Sequence, residues 1–423
     1  MNTSRKIKID VISVPFSGHL YPLIELLTPL IGNEKYDIRF ITGVQKIPII
    51  EQSGFVGYPL FADKPTIMED IANTETQVKI LEMYQQLKQN IGVVPEAIKQ
   101  IEETVRQRET DLVIADFISV PAGIVSTRLA IPWITTIPTP FAIETLDGTP
   151  SYLGGWSNKT GFCFRLRDYL GRKLVRLCKK MFFSLIRKNA QKLDITLYNE
   201  QGEENIYSPF SILGIGMKEL EFPRTFPAQF KWLGPCCFSP EKEQIVIPDK
   251  DQFQKIVLVT IGTHLLWGKA SLAEKVVEVA ASFPEVLFII SLGDDQKGTD
   301  YQLLKRNVYQ YGYIPYSKNL AQFDYVIHHG GAGILYNCIY YQKPALILPH
   351  DYDQFDYAAR AQACGIGIVA KKRTTNHIVL KLKQLFQQEE WQRLKELNQQ
   401  FSKYEPSKIL EAEIKRLMNE VDK

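Results

Sequence analysis

The sequence has few cysteines, little net charge and no long apolar run. Six cysteines among 423 residues, in no framework spacing, exclude a small disulfide-linked scaffold. The formal net charge of +3 is too small to attract nucleic acid by bulk electrostatics, so we expect no nucleic-acid partner. No stretch offers the roughly 20 uninterrupted apolar residues of a membrane-spanning helix.

The N-terminus also lacks the pattern of a secretion signal. Its first apolar run, over 9–16, is short, is interrupted by Asp10 and ends without a small-residue cleavage site. Hydrophobic residues make up 45% of the chain and charged residues 23%, which is ordinary for a folded globular protein. We therefore predict a cytoplasmic protein with reduced thiols.

Strand and helix patterns alternate in both halves, which predicts α/β domains with parallel sheets and helices on both faces. The first half opens with a strand over 7–15 and a helix from near Pro22, and the second with a strand over 256–261 and a helix over 271–282. Further strands are predicted over 37–42, 112–116, 133–137, 286–292, 325–328 and 345–348, with a helix over 76–108.

A stretch rich in proline and charge around 235–251 marks a domain boundary. We predict a first domain over 1–235, a linker over 236–251 and a second domain over 252–388. The charged tail over 389–423 has a helical pattern and is a candidate to cross back to the first domain.

Five of the six histidines follow a predicted strand, where open α/β sheets bind ligands; His377 does not. His19 lies in a glycine-containing turn after the first strand, and Asp116 ends another. A carboxylate bonded to one ring nitrogen would leave the other as a base. The alternative is that both residues only cap helices. Because no Gly-x-Ser-x-Gly nucleophile motif accompanies them, a base here would act on a substrate hydroxyl.

The densest motif is glycine-rich and follows the strand that ends near residue 327. Its backbone N–H groups at a helix start would hold a phosphate or pyrophosphate, with His329 adding a donor. A purely structural turn is the alternative, and no Gly-Lys-Ser/Thr follows as in a P-loop. Gly262 and Thr263 form a second, weaker turn of the same kind. The motif reads His328, His329, Gly330, Gly331, Ala332, Gly333 and Ile334.

Zinc spacing is missing from the histidines, so no metal site is predicted. Asp351 and Asp353 have the Asp-x-Asp spacing that can hold a divalent ion. The neighbouring Gln354 favours a site for sugar hydroxyls instead, because a carboxylate beside an amide can bind adjacent hydroxyls.

A basic segment over 165–188 has nine lysines and arginines, one acidic residue and leucines at helical spacing. One interpretation is a surface helix with a solvated basic face. The other is contact with an anionic membrane surface, which would make the protein peripheral to the inner face of the membrane, or with a lipophilic acceptor.

Two motifs resemble the UDP-glycosyltransferase superfamily, glycosyltransferase family one. They are Pro15-Phe16-Ser17-Gly18-His19-Leu20-Tyr21-Pro22 and the run over 326–367, VIHHGGAGILYNCIYYQKPALILPHDYDQFDYAARAQACGIG. The resemblance implies a GT-B fold, with two Rossmann-like domains facing each other across a cleft. It also implies an inverting, metal-independent sugar transfer that needs no cofactor beyond its nucleotide-sugar substrate.

The resemblance gives roles to individual residues. His19 would be the general base and Asp116 its orienting acid. Apolar side chains after Asp116 could line an acceptor pocket, with core packing as the alternative for any single one; they are Phe117, Pro138, Phe141 and Trp156. The implied donor-binding residues are Gly262, Thr263, Tyr313, His329, Gly331, Ala332, Gly333, Asn337, Asp353 and Gln354.

Three positions depart from the family pattern. Tyr316 stands where many members have Gln beside the base, Ile334 where Ser or Thr is usual, and Asn337 where many have a Glu for the ribose. An amide bonds to a ribose without charge assistance, so a dTDP-sugar stays open beside a UDP-sugar.

The predicted function is transfer of a hexose to a hydroxyl of a small lipophilic acceptor, such as a natural product, carotenoid or sterol. Two other functions remain open. One is a nucleotide-sugar epimerase on the same fold, and the other is a non-catalytic partner protein that keeps the fold.

Overall fold

The computed structural model describes residues 5–72, 80–192, 195–237, 244–260, 262, 266–294, 298–351 and 353–421. Within them the chain forms two seven-stranded sheets, each covered by helices. Every paired strand runs parallel to its neighbours except for one antiparallel pair at the edge of the second sheet. The predicted α/β class with two Rossmann-like domains is confirmed.

The first sheet is built entirely from the first half of the chain. Its strand order is β3-β2-β1-β4-β5-β6-β7, so the direction of winding reverses between β1 and β4. Ligands of open α/β sheets bind at such a switch point, beyond the carboxyl ends of the strands. The strands are β1 (Ile7–Ile12), β2 (Tyr36–Gly43), β3 (Val56–Leu60), β4 (Leu112–Asp116), β5 (Trp133–Ile137), β6 (Ile212–Ile215) and β7 (Phe230–Gly234).

The second sheet has the order β10-β11-β9-β8-β12-β13-β14, with its switch point between β8 and β12. The outer pair, β10 and β11, is antiparallel. The strands are β8 (Lys255–Thr260), β9 (Val286–Ser291), β10 (Tyr301–Lys305), β11 (Val308–Tyr311), β12 (Tyr325–His328), β13 (Ala345–Ile347) and β14 (Gly367–Val369).

Helices connect the parallel strands and close the chain. They are α1 (Ser17–Leu27), α2 (Ile47–Gln52), α3 (Ile67–Ala72), α4 (Ile80–Arg108), α5 (Val120–Arg128), α6 (Phe162–Lys192), α7 (Leu266–Ala280), α8 (Tyr316–Asn319), α9 (Ala332–Tyr340), α10 (Gln354–Ala363), α11 (Thr375–Gln387), α12 (Gln392–Phe401) and α13 (Pro406–Val421).

The C-terminal tail divides between the two domains. Helix α12 buries Leu394 and Leu397 in the core of the second domain. Helix α13 packs against α1 and β7 and places Leu410 and Ile414, both fully buried, in the core of the first domain. The end of the chain therefore crosses back and ties the two domains together.

The predicted strands over 112–116, 133–137 and 325–328 match β4, β5 and β12, since each is an unbroken, mainly apolar run. Two other predicted bounds were wrong by three residues or more. The strand predicted over 7–15 ends at Ile12, and the helix predicted over 271–282 begins at Leu266. The helix over 76–108 is seen from Ile80, and residues 73–79 lie outside the described residues.

Helix α1 also begins earlier than predicted, at Ser17, and contains Pro22 as its sixth residue. The Phe16 carbonyl accepts the N–H groups of both His19 and Leu20 at 2.9 Å, which starts the helix before the proline. At this sixth position proline lacks the N–H that would bond to the Gly18 carbonyl, so α1 continues through Pro22 with one backbone hydrogen bond fewer. His19 therefore lies in the first turn of a helix and not in a loop.

Asp10 interrupts the apolar pattern of β1 for a structural reason. Its carboxylate is fully buried and receives the guanidinium groups of Arg39 at 2.9 Å and Arg108 at 2.7 Å. A buried charge of this kind persists only when it is paired. The cluster joins β1, β2 and α4 at the end of the sheet opposite to His19.

Candidate functional site

The first sheet places a histidine and a carboxylate together at its switch point. His19 follows β1 and Asp116 ends β4, the two strands between which the winding reverses. His19 Nδ1 lies 2.9 Å from Asp116 Oδ1. Because a carboxylate only accepts, Nδ1 carries the proton and Nε2 is left to act as a base. The second oxygen of Asp116 accepts the Ile118 N–H at 3.0 Å, which fixes the carboxylate.

The surroundings of His19 favour its protonated form. Burial by itself lowers the pKa of His19, but the charge and hydrogen bond of Asp116 and the charge of Asp353 together raise it above the usual 6.5. The Phe117 ring stacks on the imidazole, with ring centres 5.7 Å apart. The arrangement suits a group that takes up a proton during a reaction.

Asp353 links the two domains at this point. It directly precedes α10 in the second domain, yet its charge acts on His19 of the first. Burial raises the pKa of Asp353 to about 6. Gln354 follows, and its amide oxygen accepts the N–H groups of His350 at 2.9 Å and Asp351 at 3.2 Å. Gln354 thus holds the 350–351 turn, and its amide nitrogen is the group left for a ligand hydroxyl.

His328, the last residue of β12, and the next residue, His329, have different environments. His328 is buried, burial lowers its pKa to about 3, and its Nδ1 accepts the Gly330 N–H at 3.0 Å. This bond holds the turn, in which Gly330 has a φ of +97°. His328 is therefore a neutral group that shapes the backbone.

His329 instead lies between two glycines. A Cβ at Gly262 would approach His329 Cε1 to 2.7 Å, and one at Gly331 would approach Nε2 to 2.5 Å. Gly331 precedes α9, whose start has no side-chain cap. Ala332 and Gly333 form the first turn with their backbone N–H groups, so an anion here would meet both the helix start and His329. Thr263 lies outside the described residues.

Two of the departures from the family pattern are turned away from this cradle. Ile334 is buried in the core of the second domain. Asn337 is also buried, and its amide nitrogen donates to the Gly333 carbonyl at 2.9 Å within the same helix. Its Oδ1 has no partner in the described part of the chain.

Two tyrosines follow β11, and the side chain of Tyr316 reaches the end of β8. Tyr313 is half-buried, and its backbone N–H donates to Gly298 at 2.8 Å. The hydroxyl of Tyr316 lies 3.0 Å from Thr260 Oγ1, at the second switch point. Burial raises the pKa of Tyr316 to about 12, so the phenol is neutral.

The three aromatic acceptor candidates have separate positions. Phe117 alone adjoins His19. Phe141 is buried, with Tyr357 at 4.8 Å and the Arg360 guanidinium at 4.3 Å, so it packs between the domains. Trp156 lies against α6, with the Arg167 guanidinium 4.9 Å from its ring centre. The ring contacts described for Phe141 and Trp156 are thus with residues other than His19.

Sequence reasoning missed the contacts that close the cleft. The Tyr152 N–H donates to Asp356 Oδ2 at 2.8 Å, and the Tyr357 hydroxyl bonds to the Pro138 carbonyl. Tyr152 has a φ of +63°, a conformation that non-glycine residues adopt rarely. The spacing of Asp353, Asp356 and Arg360 on one helical face was a signal that could have pointed to α10.

Among the described residues, no group of three or more His, Cys, Asp or Glu side chains is placed to hold a metal ion. In the same part of the chain, no helix is both long and apolar enough to cross a bilayer.

Known proteins match this chain in sequence over parts of its length, up to 87% of it. Residues 274–414 match the family model described as "Erythromycin biosynthesis protein CIII-like, C-terminal domain". The NDP-glycosyltransferase YjiC of Bacillus subtilis is 21% identical over 375 residues, 87% of this chain and 86% of that protein. A sterol 3-beta-glucosyltransferase of Saccharomyces cerevisiae is 28% identical over 138 residues, 31% of this chain, and the match spans only 11% of that protein's length.

Solved structures match 98% of this chain in fold. The glycotransferase of kitacinnamycin superposes with a TM-score of 0.72 at 19% identity, covering 98% of this chain and 100% of that one. The glycosyltransferase VinC, solved with dTDP, gives 0.65 at 16% identity, covering 98% and 100%. The fold and the paired switch points thus define a GT-B glycosyltransferase architecture. The chain is similar in sequence to glycosyltransferases and shares the GT-B fold of the solved ones.

Proposed function

We propose that the protein transfers a hexose, with inversion and without a metal, from a nucleotide diphosphate sugar to a hydroxyl of a small lipophilic acceptor. The observation that carries the proposal is the His19–Asp116 pair, on which the charge of Asp353 acts from the second domain. Gln354, next to Asp353, lies against Gly330 of the glycine-rich turn. A base and an anion cradle thus meet across one cleft.

In the proposed reaction, the acceptor oxygen attacks the anomeric carbon while His19 Nε2 accepts the hydroxyl proton. A new C–O bond forms as the bond to the diphosphate breaks, and the diphosphate leaves with the bonding electrons. Asp116 stabilises the resulting imidazolium through Nδ1. Attack from the face opposite to the leaving group inverts the anomeric centre.

The leaving diphosphate gains negative charge, which needs stabilisation. The first turn of α9 offers backbone N–H groups with no side-chain cap, and His329 stands beside them. In our proposal these groups do the work that a divalent cation does in other transferases. Asp353 and Gln354 would hold the sugar hydroxyls next to His19.

Uracil and thymine are both candidates for the nucleobase of the sugar donor. Asn337 is uncharged, and its amide nitrogen donates to the Gly333 carbonyl, so a ribose 2′-hydroxyl would find no charged partner at this position. A dTDP-sugar is therefore a candidate beside a UDP-sugar, and VinC, which is similar in fold, was solved with dTDP. Sterol and natural-product transferases among the relatives support a lipophilic acceptor, next to Phe117.

Binding and turnover together test the proposal. Calorimetry with UDP, dTDP and their glucose forms, with and without EDTA, should give micromolar binding of one nucleotide that EDTA does not change. Acceptor screening with that donor should then give glycosylated product, and a His19→Ala variant should keep donor binding but lose turnover.

The two other functions give different results. An epimerase would convert the nucleotide-sugar without any acceptor. A non-catalytic partner protein would show no turnover with any acceptor, and donor binding would be weak or missing. Unchanged turnover in His19→Ala would overturn the assignment of the base.

A further inference from the structure

Helix α6 exposes an apolar stripe from Phe162 to Leu185. Leucines and other large apolar residues recur every three or four positions, which puts them on one face of a helix. All of them are exposed, from 48% for Leu166 to 80% for Phe162. The stripe consists of Phe162, Leu166, Tyr169, Leu170, Leu174, Leu177, Met181 and Leu185.

The opposite face of α6, which lies on the first domain, is ionic. Arg176 donates to Glu144 at 3.1 Å and to the Gly202 carbonyl at 2.8 Å. Lys179 donates to Glu204 at 2.5 Å, and Arg172 bonds to the Gly148 carbonyl. A surface helix of a globular protein normally has the reverse polarity, with its apolar face on the core.

The charges that flank the stripe are all positive. Arg165, Lys173, Lys180 and Arg187 are exposed. The one acidic residue of the helix, Asp168, is buried and pairs with Arg167 at 2.7 Å. The outward face of α6 therefore combines a continuous apolar stripe with cations that have no acidic partner among the described residues. Single exposed leucines are common on protein surfaces, but a contiguous apolar patch of this kind marks an interaction site.

We propose that the outward face of α6 docks on a membrane surface that contains anionic phospholipid. Helices that lie in a bilayer interface have this combination of an apolar face and flanking Lys or Arg. The cations would meet lipid headgroups, while the leucines enter the acyl boundary. A second copy of the chain fits less well, because an α6 pair would bring like charges together without any acidic partner.

The docked orientation connects α6 to the cleft. The loop that leads into α6 includes Tyr152, whose N–H donates to Asp356 of α10. A membrane-bound α6 thus holds the acceptor side of the cleft near lipid. The docking itself does not depend on the proposed sugar transfer, so the two can fail separately.

Vesicle flotation with the full chain tests the docking. The wild-type protein should float with vesicles of phosphatidylglycerol and phosphatidylcholine, and far less with phosphatidylcholine alone. The variant Leu170→Gln, Leu174→Gln, Leu177→Gln should lose flotation. Each cation near an anionic surface strengthens binding by roughly fivefold, so Arg165→Gln, Lys173→Gln, Lys180→Gln should weaken it on the order of 100-fold.

The control changes exposed residues of the other domain, Leu303→Gln with Leu380→Gln, and should float like wild type. Near-identical circular dichroism and melting would show that the α6 variants are folded, since their changed side chains are exposed. Equal flotation of the leucine variant, or no flotation of the wild type, would overturn the proposal. So would a dimer in sedimentation that the leucine variant dissociates, because a second copy would then be the occupant.

Discussion

At His19, burial and the neighbouring carboxylates shift the pKa of the imidazole in opposite directions. Burial lowers the pKa, while Asp116 and then Asp353 raise it, with the net result above 6.5. A base works only in its neutral form, so activity should rise with pH through this raised pKa. The acid limb of the pH–rate profile therefore reports the His19–Asp116 contact.

We predict that Asp116→Asn moves that acid limb to lower pH, because the pKa of His19 falls when the carboxylate charge is removed. The maximal rate should fall by a factor on the order of 10²–10⁴, since the imidazole loses its orienting partner. The measurement is kcat/KM from pH 5 to 9. Asp111→Asn is the control, since Asp111 lies at the opposite end of β4 and pairs with exposed Arg5 at 3.0 Å. A limb that stays in place or moves to higher pH would contradict the assignment.

Asp353 leads to a second prediction of pH dependence, which concerns the affinity for the nucleotide-sugar. Burial raises its pKa to about 6, so the carboxylate becomes protonated as the pH falls through that value. A neutral acid is a weaker partner for sugar hydroxyls, so the Kd of the nucleotide-sugar should rise below pH 6. Calorimetry at pH 5.5 and 7.5 measures this. The sugar-free nucleotide is the control, and an equal loss for it would show that another group is responsible.

Single residues were hard to place from sequence alone. The strand-end rule put His19 and Asp116 together, because parallel strands end at one edge of a sheet. Nothing local indicated that Phe141 would pack between the domains or that Trp156 would lie on α6. Their partners Tyr357 and Arg167 depend on how distant segments pack, which sequence spacing does not encode.

At the scale of elements, the start of helix α9 has two glycines, Gly331 and Gly333, that can be compared as a variant and its control. A Cβ at Gly331 would lie 2.5 Å from His329 Nε2, so Gly331→Ala should displace the imidazole and weaken nucleotide binding at least tenfold. A Cβ at Gly333 meets nothing within 4 Å. Gly333→Ala should therefore leave His329 in place and favour the helix by up to about 1 kcal/mol.

Calorimetry and thermal melting of both glycine variants check this prediction. Gly331→Ala should lose affinity without a large change in Tm, and Gly333→Ala should melt higher. If Gly333→Ala also loses nucleotide affinity, the diphosphate approaches its backbone directly. Equal affinity of Gly331→Ala and wild type would instead remove His329 from the cradle.

The elements that sequence reasoning found are those with a strong local pattern. Strands β4, β5 and β12 are short apolar runs buried on both faces, and they were placed at their observed bounds. Strand β3 was missed because Gly57 and Pro59 interrupt its pattern, and it lies at the sheet edge, where proline is tolerated. Strand β6 was also missed, because it has only four residues, including Gly214; it pairs with β5 on one side and β7 on the other.

Helix α13 shows what a remote element adds to the first domain. Leu410 is fully buried in the core beneath α1 and β7, although it lies in the last 20 or so residues of the chain. Leu410→Ala should destabilise the protein by about 2–5 kcal/mol through lost burial and the cavity left behind. Urea denaturation measures the change. The exposed Leu380→Ala is the control and should stay within about 0.5 kcal/mol of wild type.

At the scale of the whole molecule, a buried ion cluster joins the domains. Arg360 of α10 donates to Glu221 of the first domain at 2.5 Å, and Arg224 Nε lies 3.3 Å from the same carboxylate. Arg360 also lies over the rings of Phe141 and Phe222, at 4.3 Å and 4.6 Å. Arg360 also lies 3.9 Å from the buried Asp356, so Glu221 is the carboxylate that both guanidinium groups contact most closely in the interface that positions His19 opposite Asp353.

Loss of Glu221 should therefore cost far more than loss of a surface charge. Glu221→Ala leaves two buried cations without their shared partner, and we expect a loss of about 3–5 kcal/mol. The two domains should also unfold in separate steps, since the interface no longer couples them. Glu405→Ala, which breaks an exposed pair with Lys408, should cost at most about 1 kcal/mol. Urea denaturation followed by tryptophan fluorescence distinguishes one transition from two. A single transition with a loss near that of Glu405→Ala would mean that apolar packing, and not this cluster, holds the domains in register.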